Sequence, residues 1–159
     1  MPTKSVMLSI NPEHCSNIAN GIKSVEIRKN KPNLPTPFKC YIYCTKNKTK
    51  IKSSDGNNFP AELIGKVIGE FTCNKIVETC GWRLKGETWL CAKRTPFETN
   101  LPAATCVSLE EILKYAGNEN SSLYGWQISN FVLYDRPKEL SDFALTKAPQ
   151  SWCYAEEKK

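Results

Sequence analysis

The residues best suited to chemistry sit in one short stretch, Gly21 to Lys29, which reads GIKSVEIRK. Read as a strand, it places Val25 and Ile27 on one face and Ser24, Glu26 and Arg28 on the other. A carboxylate that only accepts hydrogen bonds then lies beside a guanidinium that only donates them, with the Lys23 ammonium at the preceding corner and Lys29 and Lys31 just beyond. Such a corner can hold an anionic or base-like ligand. With a lowered lysine pKa it can also do proton-transfer work, Lys23 serving as general base or electrostatic stabiliser and Glu26 as its acid/base partner. The plainer alternative is a half-exposed Glu–Arg ion pair that only decorates a strand.

Two further places offer recognition chemistry. Trp126 precedes Gln127, and Trp152 follows Gln150 and Ser151, so each indole is flanked by groups that can hydrogen-bond a base. Either Trp can instead be core, because an indole dominates the packing of a small barrel. Between residues 79 and 106, Trp82, Trp89 and Phe97 interleave with Arg83, Lys85, Lys93 and Arg94, a pattern that suits stacking on bases or a packed surface excursion. A metal centre is not expected. Cys40, Cys44, Cys73, Cys80 and the His14–Cys15 pair include no C-x-x-C spacing, and His14 is the single histidine. No cofactor is implied.

The chain of 159 residues carries eight cysteines and a formal net charge of +6. On length priors it is expected to form a single domain over residues 1–159. The positive charge is uneven: residues 1–52 hold ten Lys and Arg against Glu13 and Glu26 alone, as suits a binder of phosphate backbones. MPTKSVMLSI lacks the apolar core and cleavage site of a secretory signal, and no apolar run reaches membrane-span length. A cytoplasmic protein with reduced thiols is expected, with no membrane partner.

The positioning elements follow from pattern. Val6–Ile10 reads as a strand, and Asn11-Pro12 opens a short helix whose apolar positions Cys15, Ile18, Ala19 and Ile22 share a face before Gly21 ends it. After the Lys23–Arg28 strand, residues 30–37 form a proline-rich loop and Phe38–Thr45 a strand. Lys46–Pro60 reads as a basic loop able to track a phosphate backbone. Leu63–Glu78 follows as a long strand bent at Gly65 and Gly69. A capping box, Ser108 to Glu111, opens a second helix that stops by Gly117. Leu123–Tyr134 gives one strand or a pair, halted by Asp135-Arg136-Pro137, and the tail around Trp152 a last short strand. Strands dominate, so the pattern predicts an α+β fold, a small β-barrel decorated by two short helices.

GIKSVEIRK resembles the signature of the ASCH domain, a G-x-K-x-x-E-x-R pattern at a helix-to-strand corner, matched at Gly21, Lys23, Glu26 and Arg28. SINPEHCSNIANG is similar to the helix before that signature, GKVIGEFTCNKI to a central barrel strand, and YGWQISNFVLYDRPKEL with APQSWCY to the C-terminal strands of longer bacterial and phage members. The resemblance spans most of the chain outside residues 79–106. It implies a PUA-like barrel and a cleft floored by the signature that takes RNA or a modified nucleotide. By that analogy Lys23 and Arg28 meet phosphate or carbonyl oxygens and Glu26 takes a base edge or fixes Arg28, with Ser24, Lys29, Trp126, Gln150, Ser151 and Trp152 as further ligand-binding candidates. One branch of the family hydrolyses acetylated cytidine with a lysine, a threonine and a glutamate. Lys23 matches that lysine, but Glu26 stands where the threonine would be, and a carboxylate cannot replace the hydroxyl nucleophile by the same route. The catalytic candidates are therefore Lys23 and Glu26 without an assigned mechanism, a nucleoside amidohydrolase or ribonuclease being one alternative to plain binding. A protein-interaction module is the other.

Overall fold

The structure, a computed structural model, describes residues 4–46, 60–84, 87–92, 104–117 and 122–158. In chain order the elements are β1 (Ser5–Ile10), α1 (Pro12–Ala19), β2 (Val25–Arg28), β3 (Phe38–Cys44), β4 (Val67–Leu84), β5 (Glu87–Ala92), α2 (Leu109–Ala116), β6 (Ser122–Lys138) and β7 (Trp152–Ala155). Short 3-10 turns lie at Ala61–Leu63 and Leu140–Phe143. The described strands form one curled sheet in the order β2-β6-β4-β3-β1-β7, with β5 paired to β4, an α+β half-barrel of the kind the pattern predicts.

The centre of the sheet is apolar on both sides because β1 is buried along nearly its whole length. Val6, Leu8 and Ile10 point inward to Cys15 and Ile18 of α1 and to Phe38, Ile42, Phe71 and Trp126, whereas Met7 packs outward with Tyr41, Tyr43, Val67 and Phe143. β1 runs parallel to β3 and antiparallel to β7, so the connection from β1 to β3 must cross over, and it carries α1 and β2. Asn11 caps α1 through a hydrogen bond from His14 N to its Oδ1 (3.0 Å), and Pro12 occupies the first turn. The helix ends sooner than its apolar pattern predicts: Ala19 and Ile22 are exposed, and the Asn17 carbonyl accepts from both Ile22 N and Lys23 N as the chain turns through Gly21 at φ +73°.

Several boundaries differ from the sequence expectation. β4 starts at Val67, because residues 61–66 form a 3-10 turn and a bend that puts Gly65 at φ +77°. Gly69 is where β4 slips register against both neighbours, as a bend position should. β6 runs through Pro137 to Lys138, past the expected stop. The extra residues are absorbed as a bulge: Val67 faces Lys138 while Gly69 faces Leu133, so Pro137 needs no ladder donor. The readable part of 79–106 is a hairpin in which Trp82 faces Trp89 in the backbone register. Lys85, Lys93, Arg94 and Phe97 lie outside the described residues, as does the basic loop between Lys46 and Pro60.

Candidate ligand cleft

β2 pairs with β6 so that Val25 faces Gln127, Glu26 faces Trp126 and Arg28 faces Tyr124. Opposed residues of an antiparallel pair share a face, so Glu26 and Arg28 turn inward with Trp126 while Val25 packs on Ala104. The polar face of β2 is thus a buried one. Lys23, Glu26 and Arg28 are 3%, 8% and 8% exposed, far from the half-exposed ion pair that an isolated strand suggests.

The three side chains form a chain of charge. Lys23 Nζ lies 3.5 Å from Glu26 Oε2 and donates to the Thr105 carbonyl at 2.5 Å. Glu26 Oε1 lies 3.3 Å from Arg28 Nε. Arg28 Nη1 donates to the carbonyl and the hydroxyl of Ser151, both at 3.0 Å, and Nη2 to the Ser9 carbonyl at 2.7 Å. The terminal nitrogens of Arg28 therefore bind the protein's own groups, two backbone carbonyls and one hydroxyl. Glu26 differs. Its two cationic neighbours stand at ion-pair distance, but neither is in hydrogen-bonding geometry, so Glu26 Oε2 and Arg28 Nε are both buried without a hydrogen-bond partner. A buried polar atom left in that condition costs about 1–3 kcal/mol, which a ligand can recover.

Above these residues lies a cleft of about 310 Å³ lined by Asn11, His14, Lys23, Glu26, Ile27, Arg28, Val107, Glu111, Ile112 and Tyr115. One wall is the N-terminal turn of α1 and the other is α2. Ser108 caps α2 through the hydrogen bond from Glu111 N to its Oγ, and the segment before it, helical at Ala104 and Thr105, is tied to β2 by Ser24 N donating to the Ala104 carbonyl. At the rim Tyr115 is 40% exposed, and the Lys29 ammonium sits 4.8 Å from the centre of its ring. His14 contributes a buried Nδ1 with no partner. Its pKa is lowered by burial and then by the Lys23 charge, with Glu26 and Glu13 opposing, so the imidazole is neutral at pH 7.

The sequence candidates distribute as follows. Lys23, Glu26 and Arg28 meet in the cleft, Lys29 reaches its rim, and Ser24 is exposed with its backbone engaged by Ala104 and Ile128. Trp126 is fully buried in the core, edge-on to Phe38 at 5.8 Å, and does not line the cleft. Trp152 packs on Trp126 at 5.9 Å and on Tyr154, Gln150 is exposed, and Ser151 enters only as the acceptor for Arg28. The two tryptophans support the site from within. Sequence reasoning missed His14, Glu111 and Tyr115 as cleft residues. Tyr115 was findable in principle, since a capping box fixed the helix that carries it. Among the described residues no three His, Cys, Asp or Glu side chains converge as a metal site, and no helix is long and apolar enough to cross a membrane.

At the level of sequence, no family model and no curated protein matches this chain. Solved structures do. The crystal structure of ASCH from Zymomonas mobilis superimposes with a TM-score of 0.64 at 18% identity, covering 96% of this chain and 88% of that one. Structures of two point mutants of the same protein match at TM-scores of 0.63 and 0.62, also at 18% identity and 96% of this chain, with 91% and 89% of theirs covered. This likeness establishes a shared fold.

Proposed function

We propose that this protein is an RNA- or modified-nucleotide-binding domain of the cytoplasm that takes its ligand in the cleft floored by Lys23, Glu26 and Arg28. The observation that carries the reading is the coincidence of three features in one concavity: buried charged side chains, a carboxylate oxygen with no hydrogen bond, and an exposed aromatic ring backed by a lysine. A ring at the rim offers a stacking surface to a base, and buried polar groups at the floor read its edge. Lys29 and Lys31 are both exposed and add charge beside the opening. Binding should be measured against single-stranded RNA, single-stranded DNA and modified nucleosides at two salt concentrations. Base-dependent binding with a shallow salt slope supports the reading, and no binding to any of them removes it.

A second reading, a hydrolase acting on a nucleoside amide or on RNA, is favoured by Lys23 being buried in the same cleft as two carboxylates, Glu26 and Glu111. Product release from acetylated cytidine or RNA that disappears in Lys23→Met, with binding retained, would establish it. A protein-interaction module fits less well, because the corner is concave and charged rather than flat and apolar.

A further inference from the structure

The hydrogen-bonding state of the floor says which part of a base it can read. Most of the cationic donors are already engaged: Lys23 donates to Thr105, and the terminal nitrogens of Arg28 donate to Ser9 and Ser151, which leaves Arg28 Nε as the buried donor without an acceptor. Glu26 Oε2 accepts from none of the described residues, and a carboxylate offers acceptors alone. A ligand that completes this floor must bring a donor for Glu26 Oε2 beside an acceptor for Arg28 Nε, the pairing that an exocyclic amine and the ring nitrogen next to it present. A cleft of about 310 Å³ lies at the small end of ligand sites, the size for a single nucleoside rather than a folded segment.

We propose, resting on the nucleotide-binding reading above, that the cleft selects bases carrying an exocyclic amino group, with Glu26 as the specificity residue that accepts the amine hydrogen while Tyr115 stacks on the ring. Cytosine and adenine present that amine. Their deaminated counterparts, uracil and hypoxanthine, present a carbonyl oxygen at the same position, which faces the carboxylate as acceptor against acceptor. The loss is then twofold, a missing charge-assisted hydrogen bond and a repulsive contact.

The test compares base pairs that differ by deamination. The monophosphates of cytidine, uridine, adenosine and inosine, and RNA hexamers of each, are titrated into the intact protein by calorimetry. The expected result is that each amino-bearing probe binds at least about tenfold more tightly than its deaminated partner, the scale of one hydrogen bond to a charged group. Glu26→Gln, which keeps the shape but adds a donor, should bring both ratios close to one. If all four bases bind equally to the wild-type protein, the selectivity proposal is overturned while nucleotide binding stands. If none of the eight probes binds, the nucleotide reading falls and takes this proposal with it. The wild-type ratios need no variant, so the outcome does not depend on Glu26→Gln folding.

Discussion

Arg28 on β2 donates to the carbonyl of Ser9 on β1 at 2.7 Å, a bond that spans the gap between one edge strand of the sheet and the strand beside the other edge. With the two contacts to Ser151, it makes Arg28 the fastening that holds the curl closed. A lysine keeps the charge but cannot reach two carbonyls with a planar fork. Arg28→Lys should therefore lower unfolding free energy by about 1.5–3 kcal/mol, and Arg28→Ala by about 3–5 kcal/mol because Glu26 loses a buried partner. Ser151→Ala, which removes only the hydroxyl, should cost about 0.5–1.5 kcal/mol. Urea denaturation measures all three, and an Arg28→Lys midpoint equal to the parent would show that the fastening is not needed.

His14 supplies a pH signature. Its folded-state pKa is lowered from 6.5 by burial and Lys23, so the unfolded chain takes up the proton first as pH falls. Stability contributed by the neutral imidazole is complete above pH 6.5 and declines below it, down to the folded pKa. The urea midpoint should fall between pH 7.5 and 5.5 in the parent and fall less in His14→Gln. Because the chain has one histidine, its ring protons can be followed by NMR without assignment. A titration midpoint at or above 6.5 in the folded protein would contradict the burial argument.

Tyr115 separates binding from folding. Its ring is 40% exposed, so Tyr115→Ala should leave the thermal midpoint nearly unchanged while weakening RNA or nucleotide binding by about 1–3 kcal/mol, the range of one base–aromatic stack. Unchanged affinity would move the ligand away from α2.

Gly69 tests the register slip. A Cβ there would run into the Val132 carbonyl oxygen and approach the Phe131 ring at 3.1 Å, and the backbone oxygen cannot rotate away. Gly69→Ala should cost about 1–3 kcal/mol of stability by overpacking. An alanine variant as stable as the parent would mean that β4 and β6 can separate locally without penalty.

The floor of the cleft was legible in the sequence because a period of two assigns faces without any tertiary knowledge, and Glu26 and Arg28 share parity. What parity cannot tell is which face is buried. The polar face of β2 turns inward because Trp126 stands opposite Glu26 in β6, a pairing set by a partner strand about a hundred residues on. The fastening role of Arg28 is invisible in the sequence for the same reason: its acceptors, the carbonyls of Ser9 and Ser151 and the Ser151 hydroxyl, are brought to it by strands far along the chain. Local rules make Pro137 a strand stop, and a bulge overrides them. The tryptophans are ambiguous between wall and core in the sequence; Trp126 is fully buried in the core, and Trp152 packs against it half-buried.

The fastening of Arg28 to Ser151 also has a temporal side. The two residues are 123 positions apart, so on a ribosome adding about 5–20 residues per second, roughly 6–25 s pass between their syntheses. For that interval β1 lacks its β7 neighbour, and the guanidinium that will be buried must remain hydrated. The nascent chain presents an apolar strand edge, VMLSI, for longer than a sheet of local hairpins would. Premature termination just before Pro149 would therefore do more than trim a short strand. It would strip Arg28 of its Ser151 acceptors and expose an edge on which a second chain could template.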